Sequence, residues 1–406
     1  MKVLILSPGF PLEMPRFTRG LAAVGAQVIG IGDQHEDALP DEARRSLAGY
    51  FQVDDLWDED RVIEVAAGVH HEIGIDRVEC LWEPGMVLAA RLRNALGVAG
   101  MDEDQTILFR DKERMKLALD RAGIRTPRHT VADSAASVRE AAATIGYPLI
   151  VKPIAGAGSA DTYRVDDPQM LEEVLPRIRS VPEVSVEEFI DGDELTFDTV
   201  CVDGEIKYEN IAFYRPRPLI ARSLEWISPQ TVNLRDLERD ELANGRRLGR
   251  DVLSALGFRT GFTHMEWFRK SDGEAVFGEI AARPPGGRSV DIMNFSNEFD
   301  LYHGWAEAVC HGRFSQPIGR RYNAAVVFKR AQGEGRILRI EGLEQIMAQH
   351  RAHIVGVELL PPGSRRRNWR QTLLSDGCVF LRHPDLRTTM AIADRIGTDL
   401  QLYAGQ

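Results

Sequence analysis

The sequence predicts an α/β protein, and three observations carry that expectation. Residues 2–7 (KVLILS) form a short β-rich apolar run, Phe17, Leu21 and Val24 then recur at helical spacing, and residues 26–31 form a second apolar run. A strand, a helix and a strand within about thirty residues make a βαβ unit and imply a parallel sheet. Farther along, two alternating segments flank Asp272-Gly273, a strong signal for an antiparallel hairpin.

Composition bounds the function classes. The 406 residues are 44% hydrophobic and 27% charged, enough for two or three cooperating domains. A formal charge of −11 excludes general nucleic-acid and anionic-membrane binding, because both partners are recruited by clustered positive charge. Cys80, Cys201, Cys310 and Cys378 are far apart and form no CxxC pair, so they read as reduced thiols of a cytoplasmic protein. The opening apolar run is too short for a secretory signal and is broken by Pro8 and Gly9. No segment approaches the ~18 apolar residues of a membrane span.

The elements follow in order. A strand over residues 78–82 and a helix over 86–96 continue the α/β alternation through a first domain, 1–105. Its first βα turn, SPGFPLEMPR, lacks the GxGxxG of a dinucleotide fold. A second unit, 106–185, contains a helix over 111–122 stopped by Gly123, a helix over 134–145, a strand over 149–153 and a helix over 168–179. A third, 186–320, receives a hairpin formed by strands 184–190 and 194–202 around Asp191-Gly192-Asp193, prolonged through Asp203-Gly204 to residues 206–212. An irregular stretch over 215–229 and a helix over 239–256 follow. Residues 321–406 form a further α/β portion, broken by a solvated basic turn with Arg365, Arg366, Arg367 and Arg370 around Trp369.

Most of the chemistry lies in GFTHMEWFRKSDGEAVFGEIAARPPGGRS, residues 261–289. With a loop centred on Asp272-Gly273, paired positions sum to 545, which sets Glu266 opposite Glu279, Phe268 opposite Phe277 and His264 opposite Ala281. Directly opposed Cβ atoms are about 4.5–5.5 Å apart, and like charges there destabilise a sheet. A bound cation removes the penalty, and paired carboxylates suit Mg²⁺ that is also coordinated by substrate phosphates. On pairing alone, two glutamates on a solvated face explain the pattern equally well. Arg283 then keeps the strand parity four residues beyond Glu279, and the turn containing Gly286 and Gly287 opens backbone N–H groups to an anion.

A second constellation is YPLIVKPIAGAGS, in which a strand delivers Lys152 before a loop holding Gly156, Gly158 and Ser159. Small residues let backbone N–H groups approach phosphate, and lysine adds a point charge; taken alone, an ordinary β-turn with a snorkelling lysine explains the segment better, because short glycine loops are common. Glu83 stands beyond a strand's carboxyl end, where open α/β sheets place ligand groups, so it can meet a substrate amine; a surface acid at a helix entry is the alternative. Arg215 and Arg217 can contact a substrate carboxylate from a lid, or lie in a solvated loop.

These motifs together resemble the ATP-grasp superfamily, specifically its carboxylate–amine ligase branch, which includes biotin carboxylase, carbamoyl phosphate synthetase and bacterial L-amino acid ligases. The resemblance spans nearly the whole chain in order: an α/β pre-domain, RDKERMKLALDRAGIRTP, YPLIVKPIAGAGS, VEEFIDGDEL, THMEW, GEIAARPPGG and a C-terminal α/β portion. It implies an ATP-grasp fold preceded by a Rossmann-like parallel-sheet domain. It implies Lys112 and Lys152 on ATP phosphates, with the Gly156, Gly158 and Ser159 loop folded over them. Glu187, Glu188, Phe189 and Ile190 would form the adenine hinge, with Glu194 on the ribose. Glu266 and Glu279 would hold one or two Mg²⁺ ions, and Arg283 would stabilise the acyl-phosphate step.

Two positions depart from the pattern. Ala281 replaces the asparagine that usually supplies a third metal ligand, and Asp161 replaces a loop glycine. His264, opposite Ala281, either fills that gap or orients a substrate carboxylate, or is a packed core histidine. The resemblance implies an ADP-forming enzyme that joins a small-molecule carboxylate, of an amino acid, to an amine, and it accommodates a homodimer. Bicarbonate activation and a nucleotide-binding module without turnover are the alternatives; Ala281 favours the last.

Overall fold

The computed structural model describes residues 1–154, 162–372 and 374–406. Gly156, Gly158, Ser159 and Asp161 lie outside the described residues.

The N-terminal sheet is parallel, as the βαβ pattern predicts. It comprises β1 (Lys2–Leu6), β2 (Gln27–Gly32), β3 (Gly49–Gln52) and β4 (Arg77–Glu79), in the order β3-β2-β1-β4. The helix Met14–Ala23 turns Phe17 and Leu21 into a core shared with Trp305 of the helix Leu301–His311. The helix Met86–Leu96 has its expected bounds, ended by Gly97 at φ +65°, a backbone state open to glycine at little cost. β4 stops at Glu79 rather than residue 82, and a single 3₁₀ turn, Glu83–Gly85, follows.

The second sheet contains β5 (His129–Ala132), β6 (Leu149–Pro153), β7 (Tyr163–Val165) and β8 (Val184–Glu188), in the order β5-β8-β6-β7. The helices Ala135–Ile145 and Pro168–Ile178 bury Val138, Ile145, Leu171 and Val174 against it. Ser134 and Asp167 cap these helices by accepting hydrogen bonds from the Ser137 and Met170 N–H groups.

The large sheet begins with β9 (Asp193–Val202), β10 (Glu205–Asn210), β11 (Ala212–Arg215), β12 (Gln230–Asn233), β13 (Gly261–Arg269), β14 (Ala275–Ala281) and β15 (Asn323–Phe328). β16 (Arg336–Glu341) lies outside the large sheet and forms a two-stranded ladder with the terminal strand. β17 (Ile354–Leu359) and β18 (Gly377–His383) complete the large sheet, and β19 (Gln401–Gly405) is the partner of β16. The order is β14-β13-β9-β11-β12-β15-β18-β17, with β10 also on β9. Strands from residues 321–406 thus extend the sheet that carries the 261–289 hairpin.

Three expectations are corrected. The segments at 184–190 and 194–202 do not form a hairpin: β8 already has β5 and β6 on its two edges, whereas β9 pairs with β13. Gly192 makes the crossing between sheets, since a Cβ there would sit 2.5 Å from the Arg269 carbonyl oxygen. The stretch 215–229 is not wholly irregular, because Pro218–Ser223 is helical. The basic turn is not fully solvated: the Arg366 side chain is 9% exposed and ion-pairs with Glu225 and with fully buried Asp376.

The 261–289 hairpin forms, and the pairs Glu266 with Glu279 and His264 with Ala281 are observed. Phe268, however, pairs with Val276, and Phe277 with Trp267. A bulge falls between Glu266 and Trp267 opposite Gly278, where a Cβ would lie 2.8 Å from the Glu266 carbonyl oxygen. The register therefore changes by one residue between the turn and the glutamate pair.

Candidate active site

A cavity between the second sheet and the β13–β14 hairpin gathers most of the residues singled out by sequence. Lys112, Lys152, Glu187, Glu188, Phe189 and Ile190 line it, as do Glu194, Arg217, Glu266 and Glu279. The helix Lys112–Arg121 starts at its rim. Asp111 caps that helix through the N–H groups of Glu113 and Arg114, which fixes Lys112 at the first helical position.

Lys112 Nζ lies 3.1 Å from Glu279 Oε2. On β6, Lys152 Nζ is 2.9 Å from Glu187 Oε2, and Lys116 ion-pairs with the other oxygen of the same carboxylate. The Ser185 hydroxyl also donates to Glu187, at 2.8 Å. Burial would raise the Glu187 pKa, but the two ammonium groups outweigh it and hold the carboxyl far below the usual range. Burial likewise opposes the charge on Lys152, which Glu187 and Glu279 nonetheless drive upward. Glu279 is drawn below its ordinary value against burial, by Lys112 and Lys152.

Across the hairpin, Glu266 Oε1 accepts from the Tyr214 hydroxyl at 3.2 Å and lies 3.6 Å from His264 Nε2. His264 Nδ1 is 2.6 Å from Asp198 Oδ1, while Thr196 and Asn210 donate to the other Asp198 oxygen. Burial lowers the His264 pKa, yet the Asp198 charge and hydrogen bond, joined by Glu266, push it up to about 9. His264 is therefore a buried prop between Asp198 and Glu266, not a group facing open solvent.

Glu194 reaches the cavity from β9, 3.7 Å from Arg217 Nε. Burial, reinforced by Glu266, raises its pKa. Arg217 lies over the Phe189 and Phe268 rings and donates to the Ile190 carbonyl at 3.0 Å, closing the Phe189–Ile190 side of the cavity. The Glu188 and Phe189 N–H groups are engaged by the Arg128 and Pro148 carbonyls. Arg215 instead pairs with Asp394 at 3.0 Å and is not among the lining residues.

Arg283 lies beyond the end of β14 and grips Glu83 through Nε and Nη2, at 2.8 and 2.5 Å. Arg110 holds the other Glu83 oxygen at 2.7 Å. The N-terminal domain thus delivers Glu83 to the arginine at the hairpin's end. Gly287 and Arg288 both have left-handed backbone, and the Gly286 carbonyl accepts from Ser289 N–H at the start of the helix Ser289–Asn297.

Lys116, Asp198, Tyr214 and Arg110 were not anticipated. Lys116 had a visible signal: positions 112, 115, 116 and 119 form one buried helical stripe, and two of the four are lysines. Asp198, which shares alternating parity with Thr196 in a buried strand, had a weaker one. The paired carboxylates fit a hard cation. They share one face of a hairpin and line the cavity together, and hard oxygen ligands are what Mg²⁺ accepts.

An ATP-grasp domain family model matches residues 117–287. A D-alanine–D-alanine ligase of Xanthomonas axonopodis pv. citri is 30% identical over 263 residues, covering 63% of this chain and 76% of the relative. A formate-dependent phosphoribosylglycinamide formyltransferase of Methylococcus capsulatus is 27% identical over 338 residues, or 81% of this chain and 80% of the relative. The solved structure of an L-amino acid ligase from Bacillus licheniformis superposes with a TM-score of 0.80 at 21% identity, covering 100% of this chain and 99% of that one. With the order of its motifs, the parallel N-terminal sheet and these relatives, the chain belongs to the ATP-grasp family and is an ADP-forming carboxylate–amine ligase.

Proposed function

We propose that the enzyme activates the carboxylate of an amino acid as an acyl phosphate and passes it to the amine of a second small molecule, releasing ADP and phosphate. The carrying observation is the Glu266–Glu279 pair facing Lys112 and Lys152 in one cavity. ATP is the proposed phosphoryl donor in that cavity. Lys112 and Lys152 meet its phosphates, the strand end from Glu187 to Ile190 and Glu194 meet the nucleoside, and Glu266 and Glu279 hold Mg²⁺. The ion, when bound, neutralises phosphate charge during transfer.

The protein's own part is positioning and charge. His264 and Tyr214 fix the orientation of Glu266, and Glu187 anchors Lys152. Arg283 stands where negative charge develops on the acyl phosphate, held there by Glu83. Release of Glu83 from Arg283 would present a carboxylate to the incoming amine. Gly286 and Gly287 offer N–H groups to the substrate carboxylate. The amino-acid class draws support from the D-alanine and L-amino acid ligases among the similar proteins.

A matrix of amino-acid pairs, with formate as an additional acid, tests the assignment by product mass and nucleotide analysis. One amide product should appear with stoichiometric ADP and phosphate. AMP and pyrophosphate as the stoichiometric products, or a product lacking a new amide, would refute it.

A further inference from the structure

A second cavity, of about 310 Å³, is lined in part by the edge strand β4 and shares no lining residue with the cavity that holds the Glu266–Glu279 pair. Ligand pockets span roughly 300–1,000 Å³, so it has room for a small organic molecule. Its walls come from β4, the helix Met86–Leu96, the loop at Ala99–Met101, the start of β13 and the helix Leu301–His311. Met86, Phe258 and Phe262 make much of it apolar.

Two polar groups in these walls are unusual. Arg93 is only 8% exposed, and its guanidinium donates to two backbone carbonyls, Val78 through Nε and Met101 through Nη1, each at 3.0 Å. Among the described residues it has no ion pair with a carboxylate. Glu79, the acid whose charge it feels most, is bound to Arg77. Arg259, the remaining cation of the wall, pairs with exposed Asp203 at 3.4 Å. The lining therefore holds a surplus positive charge with an aromatic and aliphatic surround.

Trp305 supplies the second group. Its side chain is fully buried and its indole Nε1–H has no acceptor among the described residues. Leaving such a donor unpaired costs free energy, and unpaired donors are rare in folded proteins. Gly100 shows how closely the loop is fitted to the arginine: a Cβ there would lie 2.5 Å from Arg93 Cδ, at a φ of +154°.

We propose that this cavity is a second ligand site, taking a small organic acid whose carboxylate pairs with Arg93. The acid's apolar body lies against Met86, Phe258 and Phe262, and an oxygen accepts from Trp305 Nε1–H. The apolar walls select an organic acid over an inorganic anion of the same charge, because a phosphate would lose water without gaining partners there.

The experiment is a titration of the full chain with phenylacetate, followed by the indole ¹H–¹⁵N resonances. Trp305 is assigned by the peak lost in Trp305→Phe. That peak should shift saturably with phenylacetate and barely with 2-phenylethanol or inorganic phosphate. Arg93→Gln should weaken the titration at least about tenfold, and Arg283→Ala should leave it unchanged. A Trp305 resonance unmoved by phenylacetate, or moved equally by the alcohol, overturns the proposal even if Arg93→Gln fails to fold. So does a titration abolished by Arg283→Ala and unaffected by Arg93→Gln, which would place the acid in the catalytic cavity.

Discussion

Lys112 Nζ stands 3.1 Å from Glu279 Oε2, so the carboxylate that faces Glu266 across the hairpin already has a cationic partner. Two bare like charges would destabilise the pair of strands, but Lys112 and Lys152 draw Glu279 below its ordinary pKa. Glu279→Gln should therefore destabilise the ligand-free protein, by roughly 1–2 kcal/mol, by removing the charge that Lys112 faces. It should also abolish the rise in Tm caused by Mg²⁺ with ATP. Thermal unfolding with and without Mg²⁺-ATP checks both; an unchanged ligand-induced rise would remove Glu279 from the metal site.

Glu187 divides its carboxylate between Lys116 and Lys152. Lys152→Ala removes a proposed phosphate contact and should weaken ATP binding about tenfold or more. Lys116→Met leaves that contact in place but frees one Glu187 oxygen to follow Lys152. Its effect on ATP affinity should be smaller and its effect on Tm larger, since a fully buried partner is lost. Calorimetric titration with ATP and melting curves on both variants give the comparison. Equal ATP affinity in Lys152→Ala and the parent would sink the phosphate assignment.

His129 on β5 sits between Glu113 at 2.9 Å and Asp120 at 2.9 Å, both on the helix that begins with Lys112. Burial lowers its pKa, but the two hydrogen-bonded carboxylates prevail and raise it above 6.5. A raised folded pKa means the folded state binds more protons than the unfolded state at and above the unfolded value. The stabilisation is thus complete below about pH 6.5 and is lost as pH rises through the folded pKa. The stability advantage of the parent over His129→Gln should be larger near about pH 6 than near about pH 9. Denaturant unfolding at the two pH values measures it, and an advantage growing with pH would contradict the ion-pair geometry.

Gly278 lies at the bulge, where a Cβ would approach the Glu266 carbonyl oxygen to 2.8 Å. Gly278→Ala should cost roughly 1–3 kcal/mol and displace Glu279 from its place opposite Glu266. Turnover should fall more than a purely thermal defect explains. Activity measured well below the variant's Tm separates the two; full activity there would show that the glutamate pair tolerates a shifted register.

Much of this protein is determined by local sequence pattern. The βαβ opening, the helix Met86–Leu96, the strand carrying Lys152 and the existence of the 261–289 hairpin all follow from periods of 3.6 and 2 and from turn residues, which act over a few neighbours, whereas Glu266 meets Glu279 only because the bulge shifts the register set at the turn. Only tertiary structure decides the rest. Strands β8 and β9 read as a hairpin because the turn between them is favourable, yet β5 and β6 occupy both edges of β8. The bulge at Gly278 depends on backbone crowding that no alternation of side chains reveals. Lys116, Asp198 and Arg110 join Glu187, His264 and Glu83 across 71, 66 and 27 residues of chain. Such pairs carry no local period: each partner alone reads as an ordinary charged residue, and burial in a shared cavity is what couples their charges.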